Sequence, residues 1–230
     1  MLSDTPKQYL EVNGKTILEH TISRFAGLSQ VAGILVVLSA DDPCWSEVKQ
    51  RHDEEYQSQC SLLFLTIGGD ERSETVINGL AYLSNELKLH ADQWVMVHDA
   101  ARPCVRKDDI LKLLTACQNN SDRDGGILAT PVKDTLKLAD QDCLISQTQS
   151  REAMWQAQTP QLFRLGVLQE SMHRAKQAGV NITDEASAME YSGRSVQLIE
   201  GSSDNIKLTS PSDLSIVKFL LRNIENSNGF

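Results

Sequence analysis

Short apolar runs recur along the chain, and most of them are continuous rather than alternating with polar residues. Four are rich in Val, Ile and Leu, at residues 32–39, 60–67, 93–98 and 126–132. A continuous apolar run predicts a strand that is covered on both faces, as in a parallel sheet flanked by helices. A further strand is predicted at residues 196–200.

Between the predicted strands, apolar residues recur every three or four positions, which predicts helices. The helical segments are residues 17–28, 74–87, 108–117, 164–178 and 212–224. Strands that alternate with helices of about a dozen residues are typical of βαβ units. The pattern therefore predicts an α/β fold with a mostly parallel central sheet and helices on both faces.

Residues 133–158 break this alternation. Two short alternating stretches, 135–138 and 143–145, are joined by the polar turn 140–142. We expect a β-hairpin arm that projects from the main sheet, and so polar a hairpin has little to bury unless a partner subunit covers it. The chain, 1–230, is expected to form a single domain.

Composition and charge narrow the classes of function. Hydrophobic residues make up 40% and charged residues 23%, and no apolar run has the length of about 20 residues that spans a membrane. A net charge of −9 argues against a nucleic-acid-binding protein, but it allows a small phosphorylated ligand held by a few cations. We see no secretory signal and expect a cytoplasmic protein. The five scattered cysteines indicate neither a disulfide framework nor a zinc site.

The strongest candidate site is residues 97–103 (VHDAARP), at the end of a predicted buried strand. Asp99 offers hard oxygen ligands for Mg²⁺, and Arg102 can contact a phosphate with two N–H groups. The small Ala100 leaves room for a ligand. The alternative is that Asp99 caps the next helix with Arg102 beside it on the surface. His98 is expected to point into the packing.

Three other segments carry weaker signals. Lys7 follows a proline, residues 68–72 (GGDER) join a predicted strand to a helix, and Lys207 lies in a strand-like stretch. Each could approach a phosphorylated ligand at the carboxyl ends of the strands. Each is also compatible with ordinary surface structure. Residues 182–187 are likewise compatible with a plain helix start capped by Thr183.

Taken in order, the motifs resemble those of the 2-C-methyl-D-erythritol 4-phosphate cytidylyltransferases of isoprenoid biosynthesis. The similar stretches span essentially the whole chain: PKQYL, ILEHTI, GGDER, VHDAARP, PVKDTLK, WQAQTPQLF, ITDEASAMEYSG and DNIKLT. The resemblance implies a Rossmann-like nucleotidyltransferase fold and a homodimer whose arms reach across to the other subunit. It also implies that methylerythritol phosphate attacks the α-phosphorus of CTP, with Mg²⁺ required and pyrophosphate released.

The resemblance also implies roles for individual residues. Lys7 would stabilise the transition state, and Asp99 would hold Mg²⁺. Lys207 and Arg151, the latter from the partner's arm, would position the attacking phosphate. The cytosine end would be contacted by Gly69, Asp70 and Thr75, where Thr75 stands in a place that is often serine, and the ribose by Ala100. The methylerythritol phosphate site would be lined by Arg102, Thr135, Thr159 and Thr183.

The resemblance fails at the amino terminus. Members of the family begin with a strand and a Gly-rich loop that grips the triphosphate, and Met1 falls at the end of that pattern. We therefore expect the polypeptide as written to be N-terminally incomplete, poorly stable and of little activity. Two alternatives stay open: a cytidylyltransferase for another polyol phosphate, such as ribitol 5-phosphate, or an impaired paralogue that acts as a binding or dimerisation protein. The stretch ITDEASAMEYSG favours methylerythritol phosphate.

Overall fold

The computed structural model describes residues 5–56, 62–120 and 122–227. The strands within these residues are β1 Glu11–Val12, β2 Lys15–Thr16, β3 Gly33–Leu38, β4 Leu62–Ile67, β5 Trp94–Val97, β6 Gly125–Pro131, β7 Leu136–Ala139, β8 Ile145–Gln149, β9 Trp155–Arg164 and β10 Val196–Glu200. The α-helices are α1 Ile17–Phe25, α2 Trp45–Tyr56, α3 Arg72–Asn85, α4 Lys107–Gln118, α5 Leu165–Gln177, α6 Glu185–Tyr191 and α7 Pro211–Ser227. Met1, on which the expectation of an incomplete amino terminus depends, lies outside the described residues.

The central sheet is mixed, but three of its four strands run in the same direction, as predicted for a mostly parallel sheet, and only β9 is reversed. Its order is β10-β6-β9-β5; β10 runs parallel to β6, whereas β9 runs antiparallel to both of its neighbours. The arm explains the reversal, because the chain returns from it directly alongside β6 without the crossover that a parallel pair requires. A separate parallel pair is formed by β3 and β4.

Helices cover both faces of the four-stranded sheet, as predicted. Along β9, Phe163 packs with α3, α5 and α6, whereas its neighbour Leu162 packs with α4. Successive side chains of a strand point to opposite faces, so this alternation serves two hydrophobic layers at once. Ile127 and Leu128 of β6 divide in the same way.

The start of α6 differs from the prediction that Thr183 is its cap. Asp184 is the N-cap: its Oδ1 accepts a hydrogen bond from Ser187 N–H (2.9 Å), and the Ser187 hydroxyl oxygen accepts one from Asp184 N–H (3.3 Å). Ser187 lies three residues after Asp184, the spacing that this reciprocal capping needs. Thr183 therefore lies outside the helix and is exposed.

Strands β7 and β8 form the predicted hairpin arm. Its turn is held by Asp140, whose Oδ1 accepts hydrogen bonds from Asp142 N–H (3.0 Å) and Leu144 N–H (2.9 Å). Large apolar side chains of the arm are exposed, including Leu144 (64%) and Ile145 (67%). No helix of the described residues is long and apolar enough to cross a membrane.

Candidate active site

The loop after β5 brings three of the predicted site residues together. Arg102 N–H donates to the Asp99 carbonyl oxygen (3.0 Å), which closes a turn directly after the strand. Leu208 N–H donates to the Ala101 carbonyl oxygen (2.9 Å) and holds residues 204–209 against this turn. That stretch forms no strand, contrary to prediction, but its alternation persists: Leu208 is buried and Lys207 points to Asp99.

Asp99 lies among three cations. Its Oδ2 is 2.9 Å from Lys207 Nζ and 3.6 Å from Arg102 Nε, and its Oδ1 is 3.3 Å from Arg72 Nη2. The Asp99 side chain is only 13% exposed. Burial opposes its ionised form, but the hydrogen bond from Lys207 and the charges of the two arginines lower the pKa of Asp99 to about 2. The carboxylate is therefore ionised at neutral pH.

The alternative that Asp99 caps the next helix is wrong. Helix α4 begins at Lys107 with Arg106 as its N-cap. Arg102 is not on the surface either, because its side chain is 13% exposed and its Nη1 donates to the Asn205 carbonyl oxygen (2.6 Å). Both residues belong to a charge cluster made of Asp99, Arg102, Lys207, Arg72 and Glu185, which we call the Asp99 cluster. Its carboxylates and Arg102 are enclosed, whereas the side chains of Arg72 (36% exposed) and Lys207 (38% exposed) reach the surface.

Sequence reasoning missed two members of the Asp99 cluster, Arg72 and Glu185. Arg72 Nη1 lies 2.7 Å from Glu185 Oε1, and its Nη2 lies 3.1 Å from Oε2. Burial would lower the pKa of Arg72, but its hydrogen bonds and ion pairs with Glu185 and Asp99 raise it; burial raises the pKa of Glu185, and Arg72 opposes that rise. Both residues stand in quoted motifs, GGDER and ITDEA, but opposite charges at two separate helix starts give no sign that they meet.

Neutral polar side chains hold the loop after β5 through hydrogen bonds. Thr159 Oγ1 accepts from Asp99 N–H (3.0 Å) and lies 3.0 Å from His98 Nδ1, so its hydroxyl is engaged within the protein. Asn205 Nδ2 donates to the Thr159 carbonyl oxygen (2.8 Å). As predicted, His98 points into the packing, with its ring 4.9 Å from that of Phe25, and burial lowers its pKa to about 4.

The glycine loop after β4 is packed against the start of α3. A Cβ added at Gly69 would lie 2.4 Å from the Cβ of Glu74, so this position admits no larger residue without a shift. Gly69 N–H donates to Thr75 Oγ1 (3.3 Å), which joins two residues predicted at the cytosine end. Gly69, Asp70 and Ala100 are exposed. A shallow groove at the ends of β3 and β4, lined by Ser39, Trp45 and Thr66 among others, contains none of the predicted site residues.

Besides the residues of the glycine loop and Thr75, four more predicted site residues are not joined to the Asp99 cluster. Lys7 lies in the short helical turn Lys7–Tyr9 and is half-buried. Thr135 and Arg151 are exposed near the base of the arm, and Thr183 is exposed before α6. Within the ranges that the structure describes, no hydrogen bond or ion pair links these side chains to Asp99.

The cluster can accommodate Mg²⁺ through one carboxylate. No group of three or more His, Cys, Asp or Glu side chains suited to a metal ion occurs in the described part of the chain. Mg²⁺ does not require one, because it is commonly bound by one or two carboxylates with phosphate oxygens and water as the other ligands. The ionised Asp99 meets that condition.

Comparison with known proteins identifies the family that the chain resembles. A model of the family IspD: 2-C-methyl-D-erythritol 4-phosphate cytidylyltransferase matches residues 1–223. A protein of that name from Vibrio vulnificus (strain CMCP6) is 44% identical over 222 residues, which cover 96% of this chain and 89% of the relative. One from Pseudomonas fluorescens (strain SBW25) is 46% identical over 214 residues, covering 93% and 87%.

Solved structures show the same likeness. A crystal structure of 4-diphosphocytidyl-2C-methyl-D-erythritol synthase superposes with a TM-score of 0.82 at 39% identity, covering 94% of this chain and 95% of the other. That of the Francisella tularensis cytidylyltransferase gives 0.78 at 32% identity, covering 96% and 95%. The chain therefore belongs to the 2-C-methyl-D-erythritol 4-phosphate cytidylyltransferase family.

Proposed function

We propose that the chain transfers the cytidylyl group of CTP to 2-C-methyl-D-erythritol 4-phosphate, giving 4-diphosphocytidyl-2-C-methyl-D-erythritol and pyrophosphate. The observation that carries the proposal is the Asp99 cluster, in which Asp99, Arg102 and Lys207 meet at the end of β5 in a chain of this family. Such a cluster suits substrates that carry several phosphate charges.

The reaction needs positioning and charge neutralisation rather than a covalent intermediate. An oxygen of the acceptor phosphate forms a bond to the α-phosphorus of CTP, and the bond from that phosphorus to the pyrophosphate oxygen breaks. Lys207 and Arg102 lie on one side of Asp99, where they can hold the acceptor phosphate. No residue of the cluster has to give up or accept a proton.

Mg²⁺ belongs to the proposal, with Asp99 as the residue that would hold it. Its pKa of about 2 keeps the carboxylate ionised at neutral pH, as a Mg²⁺ ligand must be. When bound, Mg²⁺ supplies charge neutralisation at the nucleotide phosphates. Lys207 and Arg102, which pair with Asp99 here, would then share their positive charge with the phosphates.

The remaining roles follow the family motifs. We assign Gly69, Asp70 and Thr75 to the cytosine end and Ala100 to the ribose, and the exposure of Gly69, Asp70 and Ala100 supports this. Lys7 is assigned to the transition state, as a half-buried lysine without an ion pair among the described residues. The acceptor site is assigned to Arg102, Thr135, Thr159, Thr183, Arg151 and Lys207. For Thr159 the engaged hydroxyl supports a role in holding the Asp99 backbone.

A homodimer is also part of the proposal. The arm, residues 133–158, exposes the apolar side chains of Leu138, Leu144, Ile145, Met154 and Trp155. Cover by a second copy would bury these apolar side chains and would carry Arg151 toward the partner's site. We also propose a cytoplasmic location, where CTP is supplied.

The experiment is pyrophosphate release from CTP and Mg²⁺ with each of two acceptors. We expect release with methylerythritol phosphate and none with ribitol 5-phosphate, and a loss of release in the Asp99→Ala variant. Release with ribitol 5-phosphate alone would overturn the choice of acceptor. If the protein binds CTP but releases no more pyrophosphate than the Asp99→Ala variant does, it is a binding protein rather than an enzyme.

A further inference from the structure

Arg72 joins two carboxylates that come from different parts of the fold. It is the first residue of α3, directly after the glycine loop, whereas Glu185 is the first residue of α6. Its guanidinium contacts both oxygens of Glu185, at 2.7 and 3.1 Å, and lies 3.3 Å from Asp99 Oδ1 through Nη2 and 3.4 Å through Nε. One planar group therefore relates the position of Asp99 to that of Glu185.

Glu185 cannot itself contact a substrate, because its side chain is 0% exposed. A buried carboxylate is costly unless it is paired and hydrogen-bonded, and Arg72 supplies that pairing in a two-point geometry. An arginine side chain has many rotamers, and the fork to Glu185 selects one of them. The plane and height of the Arg72 guanidinium are thus set from beneath the site.

The backbone at Glu185 is itself held in place. Gln161 of β9, which is buried, accepts a hydrogen bond from Ala186 N–H through Oε1 (2.9 Å) and donates to Asp184 Oδ2 through Nε2 (2.9 Å). The capping of α6 by Asp184 adds a second restraint. A rigid strand therefore fixes the residue that fixes Arg72.

We infer that Glu185 is a positioning residue: it holds Arg72 so that the Asp99 carboxylate keeps the orientation that cytidylyl transfer uses. The inference rests on the proposed function and names a second layer beneath its site. An ion pair that only stabilises the fold would change the unfolding equilibrium and leave turnover per folded molecule unchanged. A positioning pair lowers kcat with little change in KM, because the interaction matters most in the transition state.

The test compares Glu185→Gln, Arg72→Lys and the double variant. Glu185→Gln keeps the shape and removes the charge, and Arg72→Lys keeps the charge and removes the fork. We expect each to lower kcat at least about tenfold, with KM for CTP and for the acceptor changed by less than about twofold. The double variant should be no slower than the slower single one, since both changes remove the same interaction.

Matched controls separate charge removal from positioning. Glu190→Gln removes a carboxylate charge at an exposed position of α6. Arg174→Lys replaces an arginine by lysine at an exposed position of α5. Both should leave kcat within about twofold of the unsubstituted protein. A Glu185→Gln protein with kcat unchanged, or a double variant whose losses multiply, would contradict the inference. If Glu185→Gln fails to fold, Glu185→Asp keeps the charge but withdraws the carboxylate, and it must show the same fall in kcat.

A second measurement does not depend on turnover. A double-mutant cycle of Arg72→Lys and Asp99→Asn in urea unfolding should show a coupling of about fivefold or more in the unfolding equilibrium constant when Glu185 is present. The coupling should vanish in the Glu185→Gln background, and its persistence there would overturn the inference. Absence of pyrophosphate release by the unsubstituted protein would defeat the proposed function, whereas this cycle would still decide whether Glu185 positions Arg72.

Discussion

The Asp99 cluster and the arm both carry predicted site residues, but they are built in opposite ways. In the cluster, each charged side chain already has partners within the chain, and Asp99 and Arg102 are only 13% exposed. In the arm, strand β8 is exposed along its whole length, and Arg151 and Thr135 project without a partner in the cluster. The cluster is therefore organised by contacts within one chain, whereas the structure gives the exposed side chains of the arm no contact with the cluster among the described residues.

This difference has energetic consequences. Removing one partner of a buried ion pair, such as Asp99 beside Arg102, leaves a buried charge without its partner, which costs several kcal/mol. Changing an exposed charge on the arm costs about 0.5 kcal/mol or less in stability. Substitutions in the cluster should therefore affect both turnover and folding, and substitutions in the arm should affect only binding and assembly.

The largest effect is expected from Asp99→Asn, which keeps the shape of the side chain and removes its charge. Turnover should fall by about a thousandfold or more, because the proposed metal ligand and the partner of three cations are lost together. Steady-state pyrophosphate release measures it. Asp108→Asn, an exposed residue in the first turn of α4, is the matched control and should be nearly neutral. An Asp99→Asn protein within about tenfold of the unsubstituted rate would show that the cluster is not the reaction centre.

Acidification should lower the stability of the folded protein through His98, which lies next to Asp99. Its pKa is about 4 in the folded protein, below the ordinary histidine value of 6.5, so the unfolded chain binds the proton first as the pH falls. Stability should be complete above pH 6.5 and should decrease by on the order of 3 kcal/mol as the pH falls to about 4.

Urea unfolding at a series of pH values measures this effect. The loss of stability between pH 6.5 and about 4 should be smaller in His98→Gln than in the protein without substitution. In the exposed control His173→Gln it should equal that of the protein without substitution. An identical pH dependence in the protein without substitution and in His98→Gln would show that His98 is not enclosed as the structure has it. Asp99 contributes at lower pH, since its depressed pKa of about 2 adds stability that is lost only below its ordinary value of 3.8.

A smaller effect is expected from Arg151→Ala in the arm. The KM for methylerythritol phosphate should rise about tenfold, with CTP affinity and the urea midpoint little changed, because this exposed arginine would contact the acceptor in the proposed homodimer. Initial-rate kinetics with each substrate varied measure the two constants. Arg174→Ala is the exposed control. Loss of CTP binding with an unchanged acceptor KM would reverse the assignment of roles.

The mildest prediction concerns assembly through the arm. Ile145→Asp should weaken the proposed homodimer by about tenfold or more in Kd, because a charge would replace an apolar contact at the interface. Sedimentation velocity over a range of concentrations measures the shift. Phe219→Asp, on an exposed position of α7 (62%), is the matched control. If only Phe219→Asp dissociates the protein, the interface lies on α7 rather than on the arm.

Much of the fold could be predicted because its strands carry strong local signals. The continuous apolar runs predicted β3, β4, β5 and β6, and the stretch 196–200 predicted β10, each within about two residues; residues 60 and 61 of the second run lie outside the described residues. The apolar spacing likewise predicted α1, α3, α4, α5 and α7. Strand β9 was missed because its first three residues, 155–157, are exposed and lie within the stretch predicted as the arm. Helix α2 was missed because, among its side chains that the structure describes (residues 45–51), only Trp45 and Val48 contribute to the core, too few to give a helical period.

Only those site residues that stand in recognisable sequence motifs could be predicted. Asp99, Arg102 and Lys207 come from two distant segments, and an apolar strand that ends in an acid suggested the first two. The Arg72–Glu185 pair spans 113 positions, and such a contact depends on how α3 and α6 pack. Burial of Glu185 decides its role, and burial of a single acid cannot be inferred from its neighbours in sequence.

The central claim is that the acceptor phosphate attacks the α-phosphorus of CTP at the Asp99 cluster. It is tested most directly by ³¹P NMR of the reaction with methylerythritol phosphate whose phosphate carries ¹⁸O. The account predicts that all of the label is in the CDP-linked product, including its bridging oxygen, that pyrophosphate is unlabelled, and that neither forms with the Asp99→Asn variant. Labelled pyrophosphate, or CMP formed beside unchanged acceptor, would contradict it.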